Sequence, residues 1–194
     1  MQEERHSKVG EILHDYHQVK MDPSVILSPA CTICGDVTLG PDASVFAGTQ
    51  IRGDGAPIRI GRRSNVQENC CLHVSGGFPI TIGEDVTVGH GAILHGCTID
   101  DNVLIGMGAI VMDGARIQRD SFVGAGALVT QGKTFPPRSL IFGSPARAVR
   151  ELTDEELESM VTLAAPDYRA VAESMLADGL MEHPPADARV WPAK

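Results

Sequence analysis

The chain of 194 residues has few aromatic side chains, no long apolar run and fewer basic than acidic residues, and each shortage excludes a class of protein. Without an apolar run of about 18 residues, we expect no membrane-spanning helix. The 16 basic and 25 acidic residues give a net charge of −9, which argues against nucleic-acid or anionic-membrane partners. Residues 1–8 are charged and contain no apolar signal segment, so we expect a cytoplasmic protein.

The five cysteines do not predict a disulfide framework, because their count is odd. Cys31 and Cys34 have the spacing of a redox or zinc pair, but no second pair accompanies them, which favours packing in a core. Aromatic residues make up only 4% of the chain, whereas glycine occurs 21 times. This balance suits a narrow core of small and branched side chains.

What the sequence does contain is an aliphatic or aromatic residue at every sixth position. Shorter runs lie between residues 27 and 94, and the longest comprises Ile99, Ile105, Val111, Ile117, Val123, Val129, Phe135 and Ile141. A six-residue repeat is typical of a β-helix, whereas an amphipathic strand or helix would repeat every 2 or 3.6 residues. We therefore predict an all-β solenoid, a parallel β-helix of hexapeptide repeats with coils of about 18 residues. Known hexapeptide proteins indicate a left-handed one.

The same pattern divides the chain into four parts. Residues 1–24 form an N-terminal segment, in which the apolar spacing over 9–16 predicts a short helix. The β-helix runs over 25–147, followed by a C-terminal α-helix over 148–180 and a proline-containing tail over 181–194. Thr153 and Glu156 match a capping box at the start of that helix, and Pro166 is expected to interrupt it.

Two insertions and one deletion break the repeat. The insertions predict loops at residues 53–57 and 75–79, and insertions in solenoids often lie on the functional edge. Counting three sides for each coil places Arg52, His73 and His95 in one column. Arg52 and Asp54 are then either a surface ion pair or an interface pair that sets register.

By the same count, Gln67 and His90 belong to the preceding side. Adjacent sides of a prism point away from each other, so a single chain does not easily bring all three histidines to one metal. Two copies side by side do so, with His73 and His95 from one subunit and His90 from the next. Closed symmetry favours a ring, and the three-sided coil suggests a homotrimer. Three imidazoles with one open position form the arrangement of catalytic zinc, which lowers the pKa of bound water to about 7.

Several motifs resemble the γ-class carbonic anhydrase family over about residues 22–150. They are Arg52-Gly53-Asp54, Asn65-Val66-Gln67-Glu68-Asn69, His73, Gly89-His90-Gly91-Ala92-Ile93-Leu94-His95-Gly96-Cys97, Leu104-Ile105-Gly106-Met107-Gly108-Ala109 and Gly143-Ser144-Pro145-Ala146. The resemblance implies a homotrimer with zinc, iron or cobalt at each subunit interface and His73, His90 and His95 as the ligands. The implied reaction is the reversible hydration of carbon dioxide to bicarbonate by a metal-bound hydroxide.

The resemblance also implies roles for five further residues. Gln67 matches the residue that hydrogen-bonds the hydroxide, and Asn65 matches a neighbouring polar residue. Arg52 and Asp54 match the interface pair beside the metal. Tyr168 resembles a tyrosine that lines some family sites.

Two departures place the chain with the shorter-loop branch of the family, many members of which have weak or undetected activity. Gly55 follows Asp54 where highly active members carry a glutamate, and the loop at 75–79 contains no carboxylate. Glu68 or bulk water would then take the proton. Two other functions stay open: an acyl-CoA acetyltransferase or thioesterase of the hexapeptide class, and a non-catalytic metal-binding protein. Acetyltransferases of this fold need one catalytic histidine, so three ligand histidines argue against that use.

Overall fold

The computed structural model describes residues 15–192 and confirms the parallel β-solenoid, with about seven coils. Each coil has three sides. The strands of the first side are Ile26–Leu27, Ser44–Val45, Asn65–Val66, Thr87–Val88, Leu104–Ile105, Phe122–Val123 and Ser139–Gly143, and Ala146–Glu151 pairs antiparallel with the last of them. The helix predicted over 9–16 falls almost wholly outside the described residues.

The other two sides share two long strands that turn a corner, Thr32–Leu39 and Gln50–Ile60. The second side continues with Cys71–His73, Ile93–His95, Ile110–Val111 and Leu128–Val129. The third side adds Lys20–Met21, Ile80–Ile82, Thr98–Ile99, Arg116–Ile117 and Thr134–Phe135.

The residues of the six-residue repeat form the core. All members of the longest run, from Ile99 to Ile141, are buried, and burial of each aliphatic side chain contributes about 1.5–3 kcal/mol. Cys31 and Cys70 lie in the same core, where burial raises the pKa of their thiols to about 12 and about 11. All five cysteines are free; Cys31 packs in the core, whereas Cys34 is half-buried and lies outside it.

The two insertions behave differently. The prediction of a loop at 53–57 is wrong, because the strand Gln50–Ile60 runs through it and absorbs the extra residues in a register shift opposite Gly35 and Val37. The insertion at 75–79 does form a loop, closed by a hydrogen bond from the Phe78 amide to the Ser75 carbonyl at 3.0 Å. In the register of the first insertion, Gly35 pairs with Gly53 and Val37 with Ile58, so residues 54–57 form a bulge within the strand.

A helical segment follows the solenoid and lies against its first side. Helix α1 (Asp154–Glu156) begins at the N-cap Thr153, and the predicted capping box with Glu156 is present. A π-helical turn, Leu157–Thr162, leads to helix α2 (Ala164–Ala177). The helix is interrupted at Leu163, three residues before Pro166, and not at Pro166 itself, which lies in the first turn of α2.

The proline-containing C-terminal tail packs on the solenoid. Glu182 and Trp191 form antiparallel bridges with Leu27 and Ile33 of the first coil. The Trp191 indole is buried and donates from Nε1 to the Ser28 carbonyl at 2.9 Å. The tail therefore covers an edge of the first coil that would otherwise present unpaired backbone groups.

No helical segment within residues 15–192 has both the length and the apolarity needed to cross a bilayer.

Candidate metal centre

The column predicted on the second side is confirmed by the strand register. Arg52 lies opposite His73, and His73 lies opposite His95 in the next coil. Each follows a buried leucine or isoleucine, and successive side chains of a strand point to opposite faces. The two imidazoles therefore stack on the outer surface, with His73 Nδ1 and His95 Nε2 3.1 Å apart.

A carboxylate lies against the other nitrogen of each of these rings. His73 Nε2 is 3.1 Å from Asp54 Oδ1, and His95 Nδ1 is 2.6 Å from Asp113 Oδ1. An ionised carboxylate can only accept, so each of these ring nitrogens carries the N–H. The two remaining nitrogens then present lone pairs to each other, which repel unless a proton or a cation lies between them.

The separation of these lone-pair nitrogens fits a shared metal ion. Imidazole nitrogens bind zinc at about 2.0–2.1 Å, which places two ligands of one ion about 3–3.4 Å apart. A carboxylate behind each ligand histidine is the usual arrangement around protein metals, because it sets the tautomer and the ring orientation. The donor set on the second side therefore suits a divalent cation that prefers nitrogen ligands.

Asp54 is the more enclosed of the two carboxylates. Burial would raise the pKa of Asp54, but hydrogen bonds from His73 and from the Arg52 guanidinium outweigh it and lower the pKa below its usual value. Asp54 is consequently a carboxylate that stays ionised as the acceptor of the His73 N–H. Arg52 and Asp54 thus lie together within one chain, beside the two histidines.

His90 lies apart from this pair, at the corner between the first and second sides. Its Nδ1 is 2.7 Å from Glu68 Oε2, and its Nε2 is 3.2 Å from the Tyr168 hydroxyl on helix α2. Burial, and then the Glu68 charge, raise the pKa of the Tyr168 phenol. The hydroxyl therefore stays protonated and donates a hydrogen bond to His90 Nε2. The His90 Nε2 lone pair thus accepts from the Tyr168 hydroxyl, which would have to turn away before this nitrogen could bind a metal.

A buried polar chain holds the backbone of His90 in place. Thr87 Oγ1 accepts from the Asn65 amide at 2.9 Å, Asn65 Oδ1 lies 3.4 Å from Gln67 Nε2, and Gln67 Oε1 accepts from the His90 backbone N–H at 3.2 Å. Asn65 and Gln67 are 1% and 2% exposed. Both predicted polar residues thus accompany His90 rather than the pair on the second side.

The predicted residues fall into two groups. The first half-site comprises Arg52, Asp54, His73 and His95, and the second half-site comprises Asn65, Gln67, His90 and Tyr168. Within residues 15–192, no three histidine, cysteine or acidic side chains converge as a metal site. An apolar cavity of about 220 Å³ lies beside the second half-site, lined by His90, Tyr168, Leu104 and Phe122 among others.

Sequence reasoning missed the carboxylate partners of two histidines. Asp113 stands 18 residues after His95 and Glu68 stands 22 residues before His90. Asp113 is thus one coil beyond its histidine, and counting one coil onward from each histidine would have found it. From the sequence, Glu68 is expected only as a proton acceptor.

Comparison with known proteins adds family evidence to this geometry. A family model for the bacterial transferase hexapeptide (six repeats) matches residues 96–131, and one for the hexapeptide repeat of succinyl-transferase matches residues 79–112. The "Probable carbonic anhydrase" of Methanocaldococcus jannaschii is 50% identical over 137 residues, which are 71% of this chain and 86% of that protein.

Two further matches extend the comparison. "Gamma carbonic anhydrase 1, mitochondrial" of Arabidopsis thaliana is 37% identical over 164 residues, 81% of this chain, and the match spans only 59% of the plant protein. The crystal structure of a hexapeptide transferase family protein from Anaplasma phagocytophilum superposes with a TM-score of 0.76 and 35% identity. That match covers 80% of this chain and 92% of the other.

Proposed function

Because the chain belongs to the γ-class carbonic anhydrase family of hexapeptide-repeat proteins, we propose that it hydrates carbon dioxide reversibly to bicarbonate at a metal site shared between subunits. His73 and His95 of one subunit and His90 of the next would hold zinc, iron or cobalt. When bound, such a metal supplies the Lewis acidity that makes hydroxide available from water near neutral pH. The observation that carries the proposal is the pair of facing lone pairs on His73 and His95, each backed by a carboxylate.

The remaining residues of the two half-sites orient the histidine rings and hold the backbone of His90. Asp54 and Asp113 keep the N–H of each ring turned away from the cation. Gln67 and Asn65 fix the backbone of His90 and offer an amide at the edge of the site. The apolar cavity beside His90 suits carbon dioxide, which carries no charge and no hydrogen-bond donor. Since loop 75–79 has no carboxylate, we expect the proton to leave through water and the turnover to be modest.

A homotrimer is supported by the outward side chains of the second side. Cys71, Ile93, Ile110 and Leu128 are aligned in register along this side, and Ile93 and Ile110 are 40% and 36% exposed. The corresponding positions of the third side are Thr81, Thr98, Arg116 and Thr134, which suit water. An apolar column beside half of a metal site is the feature expected of an interface with a second copy.

Acyl transfer is a second candidate, because both family models and the Anaplasma structure carry transferase names. The two candidates differ in their need for metal and in substrate. We expect bicarbonate formation that is lost on metal removal. Acyl-CoA turnover by the wild type that survives in the His73→Ala variant would instead favour the transferase.

The shared site predicts complementation between two inactive variants. His90→Ala and His73→Ala should each lose bound metal, measured by elemental analysis of protein purified without oxygen, and carbon dioxide hydration in stopped flow. Unfolding and reassembling them as a 1:1 mixture should restore about a quarter of the wild-type sites. In a closed ring, that is the chance that a His90→Ala subunit precedes a His73→Ala subunit.

The control is His17→Ala, which changes an exposed histidine outside both half-sites and should retain metal and activity. A mixture as inactive as its parents would contradict a site shared between subunits. Wild-type protein that binds metal but turns over neither carbon dioxide nor acyl-CoA would leave a non-catalytic metal-binding protein as the better description.

A further inference from the structure

We propose that Asp113 is the positioning residue of His95, and that the short loop 75–79 holds Asp113 in place. The inference rests on the proposed function, in which His95 binds the metal. It assigns a structural task to a loop that has no acidic residue of its own.

Asp113 reaches His95 from the next coil. Its Oδ1 lies 2.6 Å from His95 Nδ1, which is a short charge-assisted hydrogen bond. This contact keeps the proton on Nδ1 and leaves the Nε2 lone pair pointing at His73 Nδ1. If the ring took the other tautomer, an N–H would point at the metal position and exclude the ion.

The loop approaches the same carboxylate from the other side. Ser75 Oγ donates to Asp113 Oδ2 at 3.4 Å, and the turn that carries Ser75 is closed by Phe78. Phe78 lies over Gly96 and Gly114, the corner glycines that directly follow His95 and Asp113. A Cβ on Gly96 would come within 2.2 Å of Asp113 Oδ1 and 2.6 Å of Phe78 Cβ. The packing therefore leaves Asp113 little room to move away from the imidazole.

Asp113 also differs in its charged partners from Asp54, the carboxylate that accepts from His73. Asp54 pairs with Arg52, so a guanidinium neutralises part of its charge. Among the ion pairs of the described chain, Asp113 pairs only with His95, and its second oxygen meets the neutral Ser75 hydroxyl. More of its charge is therefore available to strengthen His95 as a ligand.

The test compares Asp113→Asn and Asp113→Ala with Asp100→Asn, a control that changes a carboxylate paired with Arg116 away from the histidines. The first measurement is the tautomer of His95 in metal-free protein, by nitrogen-15 NMR of histidine-labelled samples with the signal assigned from His95→Gln. Wild type and control should carry the proton on Nδ1. Asp113→Ala should shift the population towards Nε2–H.

The second measurement is zinc affinity, by competition with a chelating dye. We expect a loss of about 10- to 100-fold for Asp113→Ala, a smaller loss for the isosteric Asp113→Asn, and a loss of a few-fold for Ser75→Ala. If Asp113→Ala does not fold, Asp113→Asn and Ser75→Ala still test the proposal. An unchanged His95 tautomer and zinc affinity in Asp113→Asn and Asp113→Ala would overturn the proposal. Wild-type protein that binds no zinc, iron or cobalt would overturn the proposed function, while the tautomer comparison would still decide the role of Asp113.

Discussion

Single side chains decide which ring nitrogens are open in this site. His73, His95 and His90 each have one nitrogen against a carboxylate, from Asp54, Asp113 and Glu68 respectively. The carboxylate takes the N–H and leaves a lone pair on the other nitrogen, which in His90 accepts from the Tyr168 hydroxyl. The chemistry of the site therefore depends on contacts between coils as much as on the histidines themselves.

Gly96 and Gly132 provide a matched test of how closely the first half-site is packed. Both occupy the left-handed region, with φ of +55° and +68°, so alanine at either position costs about 1–2 kcal/mol of backbone strain. A Cβ at Gly132 meets nothing within 4 Å, whereas one at Gly96 meets Asp113 and Phe78. We expect Gly96→Ala to lose clearly more unfolding free energy than Gly132→Ala in urea titrations.

Gly96→Ala should also weaken zinc binding in the dye competition assay, because the added methyl group displaces the Asp113 carboxylate. Gly132→Ala should leave zinc affinity near that of the wild type. Equal losses of stability and affinity in the two variants would mean that only the backbone conformation matters at this corner.

The C-terminal helical segment links the end of the solenoid to the second half-site. Arg150, on the strand Ala146–Glu151, forms a two-pronged ion pair with Glu156, with both N–O distances at 2.6 Å. Glu156 also completes the capping box at Thr153. Helix α2 then packs Ala172 and Tyr168 against Ile26 and Phe46 of the first side, which places the phenol beside His90.

The Glu156 contacts predict a pH-dependent contribution to stability. Hydrogen bonds from Arg150, and then from the Thr153 amide, lower the pKa of Glu156 from 4.5 to about 2. A group whose pKa falls on folding stabilises the folded state above its unfolded pKa, and that contribution disappears as the pH falls through the folded value. Glu156→Gln should therefore melt at a lower temperature than the wild type at neutral pH, with the difference shrinking between pH 4.5 and about 2.

Glu158→Gln is the matched control for this measurement, since it removes an exposed acidic residue from the same helical segment. Its melting temperature relative to the wild type should depend much less on pH over the same interval. A gap between Glu156→Gln and the wild type that stays constant down to pH 2 would show that the ion pair does not set the stability of this segment.

The proposed homotrimer would depend on the difference between the three sides. The first side is partly covered by helix α2, and the third side is polar. The second side exposes aliphatic residues next to His73 and His95. On the second side, an apolar surface and an exposed half-site therefore lie next to each other.

Ile110→Asp should therefore separate the subunits. In the proposed homotrimer, a charge at this position would be buried without a partner, and the lost burial of the isoleucine would add about 1.5–3 kcal/mol. We expect light scattering after size exclusion to give the monomer mass, and zinc affinity to fall with it. Thr98→Asp, the same change in an outward residue of the third side, should remain trimeric. A trimer for Ile110→Asp would place the interface elsewhere.

Much of this architecture follows from counting along the chain. A six-residue period buries its repeat residues when the chain coils with three sides per turn, so it predicts the solenoid and the column of Arg52, His73 and His95. The capping box at Thr153 is equally local, because its two hydrogen bonds join residues three apart. Where the spacing is irregular, the count misleads: the insertion at 53–57 is absorbed in a strand and not in a loop.

Contacts between distant segments were settled only by packing in three dimensions. Counting coils places Asp113 beside His95, but the hydrogen bond between them, like that between Glu68 and His90, depends on side-chain conformations that the spacing does not encode. The tail reaches back to the first coil, where Trp191 fills the end of the core, because burying that indole outweighs leaving the segment free. Local periodicity is sufficient for a repeated coil, whereas these long-range contacts arise only when the whole chain has folded.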